Sequence, residues 1–164
     1  MSTSEPEIID FPGSKTVVVR GTDVSVDDLP KFIDSAYAAI GSAIKDGHVA
    51  PAGVGFTRYD SEFNKIVTLE VGFPVEEIGF EFLEIDGVTV QASELPAGKT
   101  MITRHEGSYD KLHDAWGKFR HEIKRRGYEP GDCSWEAYDV GPRPGRPPSD
   151  YITGLAVPLI EKKN

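Results

Sequence analysis

Three short segments of the first half of this chain return, in the same order, in the second half. Arg20-Gly21-Thr22 matches Glu106-Gly107-Ser108, Phe56-Thr57-Arg58-Tyr59-Asp60 matches Trp135-Glu136-Ala137-Tyr138-Asp139, and Val71-Gly72-Phe73-Pro74-Val75 matches Leu155-Ala156-Val157-Pro158-Leu159. Each match is short, but their shared order reads as a duplication, and a duplication ties the fold to one small unit used twice. The local patterns give that unit as β-α-β-β. Val17 to Arg20 reads as a strand; Val26-Asp27-Asp28-Leu29-Pro30 opens a helix, because acids suit a helix N-terminus and Pro suits its first turn. Phe32, Ile33, Ala36, Tyr37, Ile40, Ala43 and Ile44 make one apolar helix face, and Gly47 stops it. Val54–Asp60 and Lys65–Val75 read as a hairpin across Ser61-Glu62-Phe63-Asn64.

The second half repeats the sequence of elements. Val88–Ser93 reads as a linking strand and Lys99–Glu106 as a strand. Leu112, Ala115, Trp116, Phe119 and Ile123 mark an amphipathic helix that ends in Lys124-Arg125-Arg126-Gly127. Ser134–Val140 and Tyr151–Ile160 complete the unit, separated by the Pro/Gly-rich 141–150 loop. The expected fold is α+β: two β-α-β-β modules forming an antiparallel sheet, two helices on one face and a ligand groove on the other. Residues 1–14 are expected to be a flexible tail before a single domain over 15–164. The modules fall near 15–75 and 99–160, joined by an acidic connection at 76–98.

The charge excludes some partners. Lys plus Arg is 18 against 27 Asp plus Glu, a net charge of −9, which repels a phosphate backbone and argues against direct nucleic-acid binding. The N-terminal residues lack the basic and apolar regions of a secretory signal, and no apolar stretch is long enough to span a membrane. A cytoplasmic protein is expected. Cys133 is the single cysteine and is read as an inert thiol. His48, His105, His113 and His121 do not share a ligating spacing, so no metal and no cofactor are expected. Ser108 lacks the surroundings of a nucleophilic serine and reads as a helix N-cap.

Glu136 is the most informative position. It sits mid-strand in Cys133-Ser134-Trp135-Glu136-Ala137-Tyr138. Alternation puts Trp135 and Ala137 on one face and Glu136 and Tyr138 on the other. The bulk of Trp135 assigns it to the helix side, which turns Glu136 towards the groove. A carboxylate walled by rings there can pair with a ligand cation. Desolvated, it can act as an acid or base. The same pattern also fits a solvated residue on an open sheet face. Tyr59 and Tyr138 are pseudo-symmetric and could line two ends of one groove; Glu70, also mid-strand, could share it. Tyr109 and Trp116 follow the Gly107 turn, and Trp116 lies on the apolar helix stripe, which fits core at least as well as site.

His105-Glu106-Gly107-Ser108-Tyr109, Leu112, Ala115-Trp116, Trp135-Glu136-Ala137-Tyr138 and Thr153 with Val157-Pro158-Leu159 together resemble the GyrI-like small-molecule-binding domain, also the effector-binding half of multidrug-responsive and AraC-type regulators. The resemblance runs from about residue 15 to 160. It implies paired β-α-β-β modules and a groove for bulky aromatic, often cationic compounds, with Glu136 as central glutamate and Tyr151 as an aromatic contact. The family's Thr-Glu pair reads Thr153-Gly154 here, and Glu70 is the pseudo-symmetric equivalent of Gly154. The duplication uses almost every residue, so the chain is read as a stand-alone member. For such a member the resemblance implies a binder of a hydrophobic aromatic small molecule. It also leaves two alternatives: a hydrolase opening strained cyclopropane rings of DNA-alkylating natural products, with Glu136 and Tyr138 catalytic, or an interaction protein that contacts gyrase. The sequence leaves the oligomeric state open.

Overall fold

A computed structural model describes residues 4–62 and 64–160. Phe63 of the expected hairpin connection, residues 1–3 of the expected tail and residues 161–164 lie outside the described residues. The strands are β1 (Glu7–Phe11), β2 (Ser14–Ser25), β3 (Phe56–Tyr59), β4 (Ile66–Val75), β5 (Phe82–Ile85), β6 (Val88–Leu95), β7 (Gly98–Glu106), β8 (Glu129–Pro130), β9 (Ser134–Val140) and β10 (Ile152–Ile160). The helices are α1 (Leu29–Lys45) and α2 (Leu112–Arg125). The class is α+β and the ladders are antiparallel.

The chain divides into two compact units: Pro12–Ala97, and Met1–Phe11 with Gly98–Asn164. In the first, the strand order is β3-β4-β2-β6-β5. Val17 and Val19 of β2, and Val67, Leu69 and Val71 of β4, meet Ala36, Ala39, Ile40 and Ala43 of α1 in one buried cluster. Period two on the strands and three-to-four on the helix make these the faces that leave water together. The 76–98 connection is more ordered than a linker: β5 and β6 form a hairpin, and β6 extends the sheet beside β2.

In the second unit β7 pairs with β10, and β10 with β9. Ala115, Phe119 and Ile123 of α2 pack on Met101, Leu155 and Val157. Both helices end alike. Gly47 and Gly127 take φ of 83° and 82°, and the next amides, of His48 and Tyr128, reach back to the Ala43 and Ile123 carbonyls at 2.9 and 3.1 Å. That is the glycine-terminated helix closure expected at both positions.

One departure matters for the site. Within the expected tail, Glu7–Phe11 is strand β1, paired along the outer edge of β7 from Glu7↔Ile102 to Phe11↔Gly98. Its residues Ile8 and Asp10 do not alternate cleanly in polarity, so the segment carries little strand signal of its own; the unpaired edge of β7 supplies the missing partner.

Candidate functional site

Strand β9 fixes the site through its register. Glu136 stands opposite Leu155, and Trp135 opposite Ala156. Residues opposite one another in an antiparallel pair share a face, and Leu155 belongs to the cluster beneath α2. Glu136 therefore faces α2, and Trp135 faces away. This reverses the expected assignment. Trp135 is buried on the other face against Phe11 of β1, with ring centroids 5.3 Å apart.

Under α2 the residue Glu136 is 5% exposed. Trp116 of α2 donates its indole N–H to Glu136 Oε1 at 2.9 Å, and Tyr138 donates its hydroxyl to Oε2 at 2.9 Å. Hydrogen bonds to a buried carboxylate offset part of its desolvation. Trp116 packs its ring against Phe119 and carries the Arg120 guanidinium 5.3 Å above it. Trp116 thus packs against the core and bonds Glu136 directly.

Two more rings extend the wall. Tyr109 meets Tyr138 edge-on, with centroids 6.1 Å apart, and lies tilted against Tyr151 at 5.1 Å. Burial, then Tyr151 and Glu136, push the Tyr109 phenol above its usual value. The electrostatic influence of Glu136 reaches Tyr109. Tyr109 sits on a 3-10 turn, Tyr109–Lys111, that leads into α2. A His105 ring nitrogen contacts the Ser108 carbonyl at 3.1 Å, and the Gly107 amide donates to the Tyr151 carbonyl at 2.8 Å. His105, 4% exposed, thus holds the turn that presents Tyr109. Ser108 makes no side-chain cap bond; its carbonyl, not its hydroxyl, is engaged. Thr153, opposite His105 in the ladder, is buried with its hydroxyl lacking a hydrogen-bond partner among the described groups.

The remaining predicted residues lie in the first unit. Tyr59 packs against the apolar cluster beneath α1. Glu70 stands on the sheet face turned away from α1, paired with Arg20 at 2.8 Å and accepting from Ser93 at 2.7 Å. Glu136 faces its helix and Glu70 faces away from its own, so the two carboxylates do not occupy equivalent faces. Sequence reasoning undervalued Trp116 as a direct partner of Glu136 and passed over His105 as a support; the His105-to-Tyr109 spacing was the available signal. Among the described residues no group of three or more His, Cys, Asp or Glu is arranged to hold a metal ion, and no helix is long and apolar enough to cross a membrane.

Comparison with known proteins agrees with this architecture. The C-terminal domain of EcmrR has a TM-score of 0.77 at 18% identity, over 96% of this chain and 98% of that one. SAV2435 bound to tetraphenylphosphonium scores 0.66 at 12% identity, over 96% and 94%. A hydrolase from Listeria innocua scores 0.64 at 15% identity, over 95% and 92%. These likenesses are of fold. No curated protein matches the sequence. The model of the GyrI-like small molecule binding domain matches residues 4–160, and with a buried glutamate and its ring wall beneath the second helix, the chain belongs to the GyrI-like small-molecule-binding domain family.

Proposed function

We propose that this protein binds a bulky aromatic organic cation around Glu136. The observation that carries the proposal is Glu136, a residue 5% exposed, with Trp116 and Tyr138 donating to its two carboxylate oxygens. A buried anion favours a partner of opposite charge, and ring faces add about 0.5–2 kcal/mol each towards a cation. Tyr109, 37% exposed, is the point at which this cluster meets solvent and the natural first contact for a ligand. Tyr151 and the unpartnered hydroxyl of Thr153 add an aromatic wall and a polar contact. The similar fold of SAV2435 was solved with tetraphenylphosphonium, an aromatic cation of this class.

Fluorescence anisotropy of rhodamine 6G tests the proposal. Saturable binding should weaken about tenfold or more in Glu136→Gln, which keeps the shape and removes the charge. Binding unchanged in Glu136→Gln would refute it.

A second reading uses the same residues for hydrolysis, and the similar hydrolase from Listeria innocua favours it. Glu136 would take a proton from water as the hydroxyl bonds to one carbon of a strained ring, the C–C bond to that carbon would break and pass its electron pair to a conjugated ligand carbonyl, Tyr138 would stabilise the charge on that oxygen, and the oxygen would then take the proton. Product from a cyclopropane-bearing aromatic compound beyond one equivalent per protein would establish it; release of unaltered compound would rule it out.

A further inference from the structure

The duplication allows one half of the molecule to be read against the other, and the comparison points to a cavity away from Glu136. In the first unit, on the face away from α1, Arg20 pairs in the ladder with Glu70, and Glu70 with Arg58. Arg20 Nη1 donates to Glu70 Oε2 at 2.8 Å and to Asp60 Oδ2 at 3.2 Å. Arg58 Nε donates to Asp60 Oδ1 at 2.9 Å. Four charges thus satisfy one another across three strands.

The ladder of the second unit has the same geometry with different residues. Arg104 stands opposite Gly154, and Gly154 opposite Ala137. Asp139 follows Ala137 by two residues, as Asp60 follows Arg58. The register therefore equates Arg20 with Arg104, two positions before the Glu106 that sequence matching gives. The outer arginine and aspartate are retained. The inner carboxylate and guanidinium have become glycine and alanine.

A cavity of about 530 Å³ lies at this position, with Arg104, Ala137, Asp139 and Gly154 in its wall beside Trp135 and Glu7. That volume is in the range of ordinary ligand sites, about 300–1,000 Å³. Asp139 leans into it: its Oδ2 is 3.2 Å from where a Cβ on residue 154 would stand. Burial raises the Asp139 carboxyl above its usual value, and Arg104 opposes the shift. Neither Arg104 nor Asp139 forms a side-chain ion pair among the described residues.

We infer that this cavity binds a small zwitterion of the amino-acid class, whose carboxylate meets Arg104 and whose cationic group meets Asp139, standing in for the pair that Glu70 and Arg58 supply in the other half. The ligand's stem lies over Ala137 and Gly154, where the absence of side chains makes the space, with Trp135 at its side. Glu7 biases the site further towards a cationic end. This site is on the sheet face opposite Glu136 and does not depend on the proposed role of that residue.

L-arginine is the probe, since it carries both groups on one stem. A ¹⁵N–¹H NMR titration should show saturable shifts of the Ala137 and Gly154 amides and the Trp135 indole N–H. Agmatine, which lacks the carboxylate, and pentanoate, which lacks the cation, should bind about tenfold or more weakly. Arg104→Ala, at an exposed side chain, should weaken L-arginine about tenfold. Gly154→Glu, which restores the first half's carboxylate, should abolish binding, and Glu136→Gln should leave it unchanged. Saturable shifts that survive Arg104→Ala, agmatine binding as tightly as L-arginine, or no saturable shift in the wild-type protein would overturn the inference.

Discussion

Replacing Trp116 by Phe removes one N–H from the Glu136 carboxylate and leaves most of the ring. The bond is 2.9 Å long and its acceptor residue is only 5% exposed. A hydrogen bond to a buried charged group contributes about 1.5–3 kcal/mol. The substitution also trims packing against Phe119 and the stack with Arg120. A double-mutant cycle with Glu136→Gln cancels those common terms. In the Glu136→Gln background the same indole bonds a neutral amide, a contact of about 0.5–1.5 kcal/mol. Trp116→Phe should therefore cost about 1 kcal/mol more in the wild type than in Glu136→Gln. For a chain of this length 1 kcal/mol is about 2–4 °C in Tm. Urea unfolding followed by far-ultraviolet circular dichroism gives the four free energies. Equal costs in both backgrounds would refute the claim that Trp116 sustains a buried negative charge.

Other expectations follow from the same structure. Phe119, 1% exposed in the α2 cluster, should cost about 3–5 kcal/mol on truncation to Ala, measured by chemical denaturation; a loss under about 1 kcal/mol would mean that α2 is not seated there. Glu122 accepts hydrogen bonds from Arg125 and Arg126, which lower its pKa from 4.5 to about 2. Because the folded value is the lower one, the stabilisation is present above about pH 4.5 and is lost as the pH falls towards 2, so Glu122→Gln should flatten that part of the acid limb of stability. An NMR midpoint near 4.5 for the Glu122 carboxyl would contradict this. The Tyr109 phenol should ionise above its ordinary 10.0, and Glu136→Gln should lower that midpoint by removing a nearby negative charge; an unmoved ultraviolet titration would place Glu136 outside its reach.

Much of this architecture is legible in the residues because it is set locally. The apolar spacing from Phe32 to Ile44, Pro30 at the helix start and the glycines at 47 and 127 are signals within one or two turns. The face of Glu136 is not such a signal. Alternation separates Glu136 from Trp135 but does not say which side the helix takes. Bulk favours placing a tryptophan beneath a helix, and that argument fails because Phe11 of β1 covers Trp135 on the far face. The cover comes from a five-residue strand that exists only through the edge of β7, more than 80 residues away in sequence. The helix stripe that holds Trp116 gives burial but not the direction of an indole N–H. Glu70 is legible as a mid-strand carboxylate and as the counterpart of position 154, which the ladders support; its engagement by Arg20 and Ser93 is a tertiary contact with no periodicity to announce it.

The central claim is that a buried negative charge on Glu136 selects cationic aromatic ligands. Isothermal titration with tetraphenylphosphonium and with tetraphenylborate, which share a shape and differ in sign, tests it most directly. The account predicts saturable binding of the cation, weakened about tenfold or more in Glu136→Gln, and none of the anion at the same concentrations. Equal affinity for the two ions, or a preference for the borate, would contradict it.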